Sequence, residues 1–326
     1  MTPPRFWQRK NAWQGICLAP LGWLYGLIVE ARFFFSKPRH VGIPIICIGN
    51  FTLGGTGKTP AAIYTAQRLK MIGLNAFVLS RGYGGKIKGP HRVDIDKDNA
   101  ESVGDEALLL ARHAPTIIAR DRFAGARHAV MQGAGVLVMD DGMQNPSLEK
   151  NLTLALVDAQ NPTGNGFIFP AGPLRGFLNL QSKRADAVLK IGGNGIKMKH
   201  DLSGSLQPQN GEWLKDKRVL GFCGIGNPEK FRATLKSLGA DVVRFEIFPD
   251  HYMFEAGDAN RLIAEAARDN LMLVTTEKDN VRLQSFYETR AQLAGLTNVL
   301  AIKFVPDDEA AFDRLLRGAL SRPGGA

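Results

Sequence analysis

The sequence is poor in cysteine. Cys17, Cys47 and Cys223 are the three cysteines in 326 residues, and they lie far apart without the paired spacing of a redox or metal motif. Disulfide frameworks and cysteine-ligated zinc sites both need such pairs, so we predict neither. A reduced, cytosolic setting fits this composition.

Nucleic-acid signatures, solenoid-length repeats and low-complexity segments are also missing from the sequence. The chain nevertheless carries a formal net charge of +10, which favours an anionic partner such as a phospholipid surface or a phosphorylated substrate. A charge that serves solubility alone is the alternative. Because there is no zinc finger, ribonucleoprotein aromatic motif or solid block of lysine and arginine, we predict no nucleic-acid partner. Nothing in the pattern indicates an obligate protein partner.

The residues from Ile45 to Thr59, IICIGNFTLGGTGKT, carry the strongest local signal. Their apolar start, Ile45–Ile48, has the composition of a buried parallel strand. A glycine-rich turn follows, and Lys58 then opens a segment with helical periodicity. Strand, glycine-rich loop and helix in this order are typical of a phosphate-binding loop (P-loop), whose backbone N–H groups point at phosphate oxygens. The sequence therefore predicts a nucleoside triphosphate site.

The loop departs from the strict P-loop pattern because Thr52 holds the first glycine position, although GGTGKT is intact. In such loops the lysine, here Lys58, reaches the β- and γ-phosphates, and the next hydroxyl, here Thr59, ligates Mg²⁺. The predicted nucleotide-binding residues are Thr52, Gly54, Gly55, Thr56, Gly57, Lys58 and Thr59.

A second signal of P-loop enzymes lies further along the chain. The apolar run Gly135–Met139 reads as a buried strand, and Asp140 and Asp141 follow it directly. A carboxylate at such a strand tip holds Mg²⁺ in P-loop enzymes. The separation of ~80 residues from Lys58 leaves room for the intervening strand–helix units of one sheet.

The N-terminal region combines basic flanks with an apolar, aromatic centre. No charged residue occurs between Asn11 and Val29. A signal peptide is disfavoured because no small-residue cleavage site follows. A spanning helix is disfavoured because Pro20 and several glycines interrupt a marginal run. We predict a segment at the membrane interface whose basic flanks meet anionic headgroups; a true span and an ordinary docked core helix are the alternatives.

The remaining pattern alternates short apolar strands with amphipathic helices, which is typical of α/β proteins. We predict a P-loop NTPase fold with a doubly wound, mostly parallel sheet, a second, smaller α/β domain and an N-terminal membrane-associating helical segment. The polar, glycine-rich stretch Gly192–Gly211 is the predicted connection, and Asn298–Phe304 is a predicted strand of the second domain. The predicted boundaries are 1–40, 41–195 and 196–326.

Two candidate residues are ambiguous from spacing alone. Asp105 stands in a Gly-Asp-Glu triplet before a helical apolar run, where acidic residues commonly cap helices. His251 follows a predicted strand, and a lone histidine is usually structural. A flexible basic loop at 80–85, SRGYGG, lies beyond another strand, where doubly wound sheets place ligand contacts.

Seven motifs taken together resemble the lipid A 4′-kinase (tetraacyldisaccharide 4′-kinase) family. They are GNFTLGGTGKT, SRGYGG, GDEALLL, MDDGMQ, FPAGPLR, FPDHY and TTEKD, and their order covers nearly the whole chain. The departure at Thr52 is also shared with this family. The set is much more specific than any one of its motifs.

The resemblance implies an enzyme that transfers the γ-phosphate of ATP, with Mg²⁺, to the 4′-hydroxyl of a lipid A disaccharide 1-phosphate precursor. It implies a peripheral or monotopic position on the cytoplasmic face of the bacterial inner membrane, in contact with anionic lipid of the inner leaflet. The active site would then lie in a cleft between a P-loop kinase domain and the smaller domain. Physically, an acylated substrate cannot leave the bilayer cheaply, because each buried methylene is worth ~0.8 kcal/mol.

The resemblance also implies roles for individual residues. Asp105 matches the catalytic carboxylate, and His251 matches its partner. The implied catalytic residues are Asp105, His251, Lys58 and Arg175, and the implied metal ligands are Thr59, Asp141 and Asp140. This chain has Gly176 where the family usually has a metal-binding glutamate after the arginine, so the metal assignment depends mainly on Thr59 and Asp141.

Two other functions stay open at this point. A membrane-surface ATPase that switches a partner would explain the P-loop and the amphipathic start, but not a paired Asp105 and His251. A soluble kinase for a small sugar would need the N-terminal segment to be docked in a core.

Overall fold

The computed structural model describes residues 4–193, 201–284 and 288–321, which form two β-sheets with helices packed on their faces. The strands are β1 (Ile45–Asn50), β2 (Ala76–Ser80), β3 (His91–Arg92), β4 (Thr116–Ile118), β5 (Val136–Asp140), β6 (Leu152–Asp158), β7 (Ala187–Ile191), β8 (Asp201–Pro208), β9 (Arg218–Cys223), β10 (Asp241–Ile247), β11 (Met272–Thr276), β12 (Thr297–Leu300) and β13 (Ile302–Pro306). The helices are α1 (Trp13–Phe35), α2 (Lys58–Met71), α3 (Ala100–Val103), α4 (Asp105–Ala111), α5 (Arg122–Met131), α6 (Leu178–Lys183), α7 (Pro228–Ser237), α8 (Ala256–Asp269), α9 (Glu277–Leu283), α10 (Glu288–Leu296) and α11 (Glu309–Leu320), with 3₁₀ turns at Arg5–Gln8 and Gly211–Leu214. This mixed α/β architecture with a large, mostly parallel sheet confirms the predicted fold class.

The larger sheet places the P-loop at its centre. Its strand order is β13-β8-β7-β6-β1-β5-β2-β4-β3, and antiparallel pairs occur at its two ends. Strand β1 pairs in parallel with β5 on one side and β6 on the other. Every residue of β1 is buried, because its side chains pack into apolar cores on both faces of the sheet. The loop after β1 therefore leaves a rigid, central strand.

The smaller sheet has the all-parallel order β10-β9-β11-β12. Helix α9, which follows β11, leaves this sheet and packs against α4 of the larger unit. Val281 of α9 is buried in one apolar cluster with Leu108 and Leu109 of α4. This contact brings the loops of the smaller sheet to the first turn of α4.

Strand β8 occupies 201–208, inside the stretch for which the sequence predicts a polar connection, so that part of the prediction is wrong. Most residues of β8 are half-exposed, and its polar composition gives no apolar alternation that would indicate a strand. Gly204 is needed for packing, since a Cβ there would lie 2.5 Å from the Phe304 ring of β13. Residues 194–200 of the same stretch lie outside the described residues.

The predicted strand 298–304 is two strands in two different sheets, so the prediction of one strand is wrong. β12 pairs with β11 in the smaller sheet, whereas β13 pairs with β8 in the larger one. Helix α11 then buries Phe312 and Leu316 in the core of the larger sheet. The segment 196–326 thus contributes strands to both sheets, and the division of the chain at 195 stays a prediction about domains.

Helix α1 lies on the larger unit through a stripe of small residues. Gly15, Gly22 and Gly26 face Ala171, Ile168 and Phe177, and a Cβ at Gly22 would lie 2.6 Å from the Ile168 carbonyl oxygen. Within the described ranges it is the one helix whose length and composition would allow it to cross a membrane, and 17% of its most apolar window is buried. An ordinary core helix would be mostly buried, so the structure disfavours that alternative.

Candidate active site

The P-loop connects the end of β1 to the start of α2. Gly54 and Gly57 have φ of +122° and +86°, a left-handed backbone that residues with side chains rarely adopt. A Cβ at Gly57 would also lie 2.9 Å from Leu206 Cδ1. No side chain of Gly57, the N-cap residue, can cap α2, so the first N–H groups of this helix point into the loop. Such a helix start attracts anions.

Asn50, the last residue of β1, holds the loop from inside. Its amide Nδ2 donates to Thr56 Oγ1 at 3.1 Å and reaches the Gly54 carbonyl oxygen at 3.5 Å. Its Oδ1 is buried and has no hydrogen-bond partner among the described residues. A buried oxygen without a donor is costly, so a ligand or water that donates to Asn50 would bind here favourably.

The side chain of Lys58, the first residue of α2, is partly buried and lies near several charged side chains. Burial of its ammonium is the main cause that lowers the pKa of Lys58, and the carboxylate of Asp141 opposes this shift. The charges of Asp140 and Glu106 also act on the Lys58 ammonium. A phosphate group beside Lys58 would stabilise the charged ammonium, because the interaction of opposite charges is strong where water is excluded.

Asp140 and Asp141 follow from β5 into a turn where Asp141 has a φ of +50°. Arg175 binds both oxygens of Asp141, with Nη1–Oδ1 at 2.9 Å and Nη2–Oδ2 at 3.1 Å. Burial alone would raise the pKa of Asp141, but the charges of Lys58 and Arg175 outweigh it and lower that pKa. At Asp140, burial and the charges of Glu106 and Asp141 raise the pKa to about 7, and its buried Oδ1 has no partner among the described residues.

The opposite pKa shifts predict opposite effects of two neighbouring Asp→Asn substitutions on the nucleotide-free protein. The raised pKa of Asp140 means that its contribution to stability is fully present below pH 3.8 and is lost as the pH rises to about 7. Asp140→Asn should therefore increase the free energy of unfolding by ~1–4 kcal/mol at pH 8 and by less at pH 5. Thermal melts at the two pH values measure this difference.

Asp141→Asn is the matched comparison. The pKa of Asp141 is lowered, so its contribution is present above pH 3.8 and is lost as the pH falls through the lowered value. This substitution should lower the melting temperature at pH 8, because it removes the carboxylate that forms an ion pair with Arg175. Equal effects of the two substitutions at pH 8 would contradict the assignment of one charged and one protonatable aspartate.

Arg175 connects the acidic turn to the P-loop. Its Nε donates to the Thr52 carbonyl oxygen at 3.2 Å, and its backbone N–H donates to the Phe51 carbonyl oxygen at 2.8 Å. Gln144 completes this connection, because it accepts from Arg175 Nη1 at 3.2 Å and donates to the Asn50 carbonyl oxygen at 3.0 Å. Sequence reasoning gave Gln144 no role, although it ends the quoted motif MDDGMQ.

Gly176, which follows the arginine, has space around it. A Cβ at this position would meet nothing closer than Val29 Cγ1 at 3.6 Å, so packing does not require glycine. Gln181 lies beside it and donates from Nε2 to the Gly176 carbonyl oxygen at 2.8 Å. No carboxylate is therefore supplied at this position of the site.

Asp105 and His251 meet across the two units. His251 Nδ1 lies 2.9 Å from Asp105 Oδ2 and 3.1 Å from Oδ1, and His251 itself has a φ of +60°. Asp105 opens α4 after Gly104, where a Cβ would lie 2.3 Å from the Tyr83 carbonyl oxygen. Burial would raise the pKa of Asp105, but the His251 hydrogen bond and the charge of Lys278 lower it overall. The carboxylate is therefore ionised at neutral pH.

Two residues of α9 that sequence reasoning did not select also belong to this cluster. Arg282 is buried, and its Nε lies 3.2 Å from Asp105 Oδ2. Lys278 Nζ lies 3.1 Å from Glu106 Oε1 and 3.3 Å from His251 Nε2. The motif TTEKD is the sequence signal that could have indicated Lys278, whereas Arg282 lies just beyond this motif.

The comparisons with known proteins agree with this geometry. A family profile described as LpxK, tetraacyldisaccharide-1-P 4′-kinase, matches residues 14–321. A tetraacyldisaccharide 4′-kinase of a Chelativorans species is 43% identical over 326 residues, which cover 97% of this chain and 95% of that protein. The corresponding protein of Methylorubrum populi is 45% identical over 334 residues, with coverages of 99% and 100%.

A solved structure is also similar. The crystal structure of LpxK from Aquifex aeolicus in complex with ATP matches with a TM-score of 0.74 at 27% identity, and the match covers 94% of this chain and 99% of that chain. The similarity thus extends over both sheets.

Proposed function

Because the chain belongs to the tetraacyldisaccharide-1-phosphate 4′-kinase family, we propose that it transfers the γ-phosphate of ATP to the 4′-hydroxyl of a lipid A disaccharide 1-phosphate precursor. The observation that carries this proposal is the contact between Asp105 and His251 beside the P-loop. The charge of Glu106, the neighbour of Asp105, acts on both Lys58 and Asp140. The start of α4, which carries the ionised Asp105, is thus within electrostatic range of the phosphate-binding residues, and Asp105 would orient an acceptor hydroxyl there.

The proposed nucleotide site is the loop from Thr52 to Thr59. Its backbone N–H groups and the start of α2 would hold the β- and γ-phosphates, and Lys58 would neutralise their charge. Arg175 belongs to the same proposed site, since its Nε donates a hydrogen bond to the Thr52 carbonyl oxygen. Lys58 and Arg175 would offset the charge that spreads over the γ-phosphate oxygens in the transition state.

The donor set fits Mg²⁺. This small cation keeps several waters and uses one or two protein oxygens beside the phosphates, so a site with few carboxylates is expected. No group of three or more His, Cys, Asp or Glu side chains that could hold a metal occurs in the described ranges. Asp140 has a buried oxygen with no hydrogen-bond partner in the part of the chain that the structure describes, whereas both oxygens of Asp141 are hydrogen-bonded to Arg175. We propose Thr59 and Asp140 as direct ligands, with Asp141 acting beside them; bound Mg²⁺ would offset phosphate charge.

Asp105 is the proposed acceptor of the proton of the attacking hydroxyl. A carboxylate with a lowered pKa is a weak base for an alcohol, so early proton transfer is disfavoured. In a loose phosphoryl-transfer transition state the carboxylate mainly orients the hydroxyl, and the proton is transferred late. His251 would fix the direction of the carboxylate, and Arg282, whose Nε lies 3.2 Å from Asp105 Oδ2, would also help to hold it.

Helix α1 supports a position at a membrane surface. Its outward side chains include Trp13, Leu24 and Ile28, which are all more than half exposed. The one acidic residue of this helix, Glu30, is paired with Arg184, so the basic flanks are left to meet anionic lipid. We propose a peripheral or monotopic position on the cytoplasmic face of the inner membrane, where ATP and the acylated acceptor are both accessible.

The test is a product assay. Purified protein with Mg²⁺, ATP labelled in the γ-phosphate and the lipid A disaccharide 1-phosphate precursor in detergent should yield a labelled phospholipid on thin-layer separation. Free phosphate without labelled lipid would instead support the membrane-surface ATPase, and turnover on a deacylated disaccharide alone would support a sugar kinase. Either outcome would overturn the proposed acceptor.

A further inference from the structure

Lys278 belongs to the Asp105–His251 cluster but has no role in the phosphoryl transfer as proposed so far. It lies near the start of α9, in the smaller unit, and its side chain is 22% exposed. The ammonium Nζ contacts Glu106 Oε1 at 3.1 Å and His251 Nε2 at 3.3 Å. Lys278 therefore touches the imidazole on the side opposite to Asp105.

The protons of these contacts can be placed from the donor and acceptor chemistry. An ionised Asp105 only accepts hydrogen bonds, so the His251 Nδ1 that faces it must carry a proton. A lysine ammonium only donates, so the His251 Nε2 that faces Lys278 must present its lone pair. Both contacts are satisfied together by one form of His251, the neutral imidazole with its proton on Nδ1.

We propose that Lys278 is a positioning residue for the phosphoryl transfer, which sets His251 in its neutral Nδ1–H tautomer and thereby fixes the Asp105 carboxylate. The tautomer with the proton on Nε2 would turn a nitrogen lone pair toward the carboxylate oxygens. The doubly protonated form would point an N–H at the ammonium. Lys278 excludes both forms, because each of them places the Nε2–H of His251 against the N–H groups of the ammonium.

The other groups around His251 do not set this tautomer. Asp250 Oδ2 lies 3.9 Å from His251 Nε2, which is too far for a hydrogen bond. The Tyr83 ring packs against the imidazole with centroids 5.5 Å apart. Arg282 and Glu106 touch Asp105 and Lys278 rather than the imidazole. Lys278 is thus the group that is placed to donate a hydrogen bond to His251 Nε2.

The charge state of the Lys278 ammonium allows it to donate to His251 Nε2 at all times. Burial would lower the pKa of Lys278, but the carboxylates of Glu106, Asp105 and Asp250 outweigh burial and raise it. Lys278 therefore remains charged throughout the pH range in which an imidazole titrates. A permanent donor on Nε2 fixes the tautomer more firmly than water, which can donate or accept.

The first experiment reads the tautomer without using activity. Long-range ¹H–¹⁵N correlation spectra of histidine-labelled protein, with His251 identified by its loss in His251→Ala, should show a protonated Nδ1 and an unprotonated Nε2. Lys278→Met keeps the side-chain length and removes the donor, so a proton should then appear on His251 Nε2. Lys278→Arg retains a cationic donor and should preserve the original pattern. An unchanged His251 spectrum in Lys278→Met would overturn the proposal.

The second experiment asks whether Lys278 acts through His251, and it rests on the proposed role of the Asp105–His251 pair. Lys278→Met should lower kcat ~10-fold with the KM for ATP changed less than ~2-fold, and Lys278→Arg should restore most of that loss. In a His251→Ala background the same change should lower kcat less than ~2-fold, because the coupling is lost. Additive losses would mean a merely structural role and would overturn the proposal.

Glu277→Gln is the matched control. Glu277 precedes Lys278 and forms the neighbouring contact between the units, with His113 at 3.9 Å, but it does not touch His251. This variant should keep the unaltered His251 spectrum and kcat; if it shifted both as Lys278→Met does, general loosening of α9 would explain the effect and the proposal would fail. Failure of the proposed role of the pair is distinguishable, because His251→Ala would then keep normal kcat while the spectra still report the tautomer.

Discussion

Asp105→Asn is expected to lower kcat by ~10²-fold or more with little change in the affinity for ATP. The amide has nearly the shape of the carboxylate but cannot accept a proton from the attacking hydroxyl. One end of the amide would also present N–H donors to His251 Nδ1–H or to Arg282. The P-loop, which is the proposed ATP site, does not depend on this side chain. Initial rates on the lipid acceptor and a separate ATP titration measure the two effects.

The control for this prediction is Asp308→Asn. Asp308 accepts a hydrogen bond from the Ala311 N–H at the start of α11, and asparagine caps helices as well as aspartate does. Folding of the Asp105 variant can be verified by its melting curve, since Arg282 keeps Asp279 as a partner at 3.1 Å. Near-normal turnover by folded Asp105→Asn would remove Asp105 from the proposed role.

The P-loop could be predicted from the sequence because all of its determinants are local. The apolar strand β1, the glycines and the start of α2 follow one another within a single segment, and their order alone restricts the structure. The acidic pair after β5 is local in the same way, since an apolar run ends directly at Asp140. The pattern could not predict which of the two aspartates is paired with Arg175. Arg175 pairs with Asp141, whereas Asp140 Oδ1 has no partner among the described residues. Arg175 lies 34 residues after Asp141 in the sequence, so this difference depends on the path of the intervening chain.

The cluster around Asp105 could not be derived from spacing. Asp105 and His251 are separated by 146 residues. Asp105 begins helix α4 of the larger unit and His251 follows strand β10 of the smaller one, so only the family resemblance indicated that they meet. Lys278 had no local signal beyond its place in the motif TTEKD, and Arg282 lies outside all seven motifs. Their proposed roles depend on the packing of α9 on α4, which is a long-range contact.

The missed strand β8 has a related cause. A strand near the end of a sheet is partly exposed and can be polar, so periodicity does not reveal it. Its neighbour β13 comes from the far end of the chain, after the smaller sheet is complete. The pairing of β8 with β13 therefore depends on the whole path of the chain, and local composition suggested only a linker.

Replacement of two outward side chains of α1 by glutamate is expected to release the protein from membranes. Leu24 and Ile28 are one helical turn apart and are 56% and 54% exposed, so they lie on the same outward face. Full burial of each in the lipid interface is worth ~1.5–3 kcal/mol, so Leu24→Glu with Ile28→Glu should lower the partition coefficient ~10²-fold or more. Sedimentation with anionic vesicles measures that coefficient.

Met71→Glu with Met131→Glu is the matched control, because both methionines are 73% exposed on other helices and the added charge is the same. If α1 forms the membrane contact, the control pair should lower partitioning only through its added charge, by ~10-fold at most. The α1 variant should lose turnover on acceptor presented in vesicles while retaining turnover on acceptor dispersed in detergent. That difference follows from the structure, since Leu24 and Ile28 point away from the larger unit and α1 docks through its glycines. Equal partitioning of the two pairs would place the membrane contact elsewhere, whereas equal loss of activity in detergent would mean that α1 supports the fold of the site.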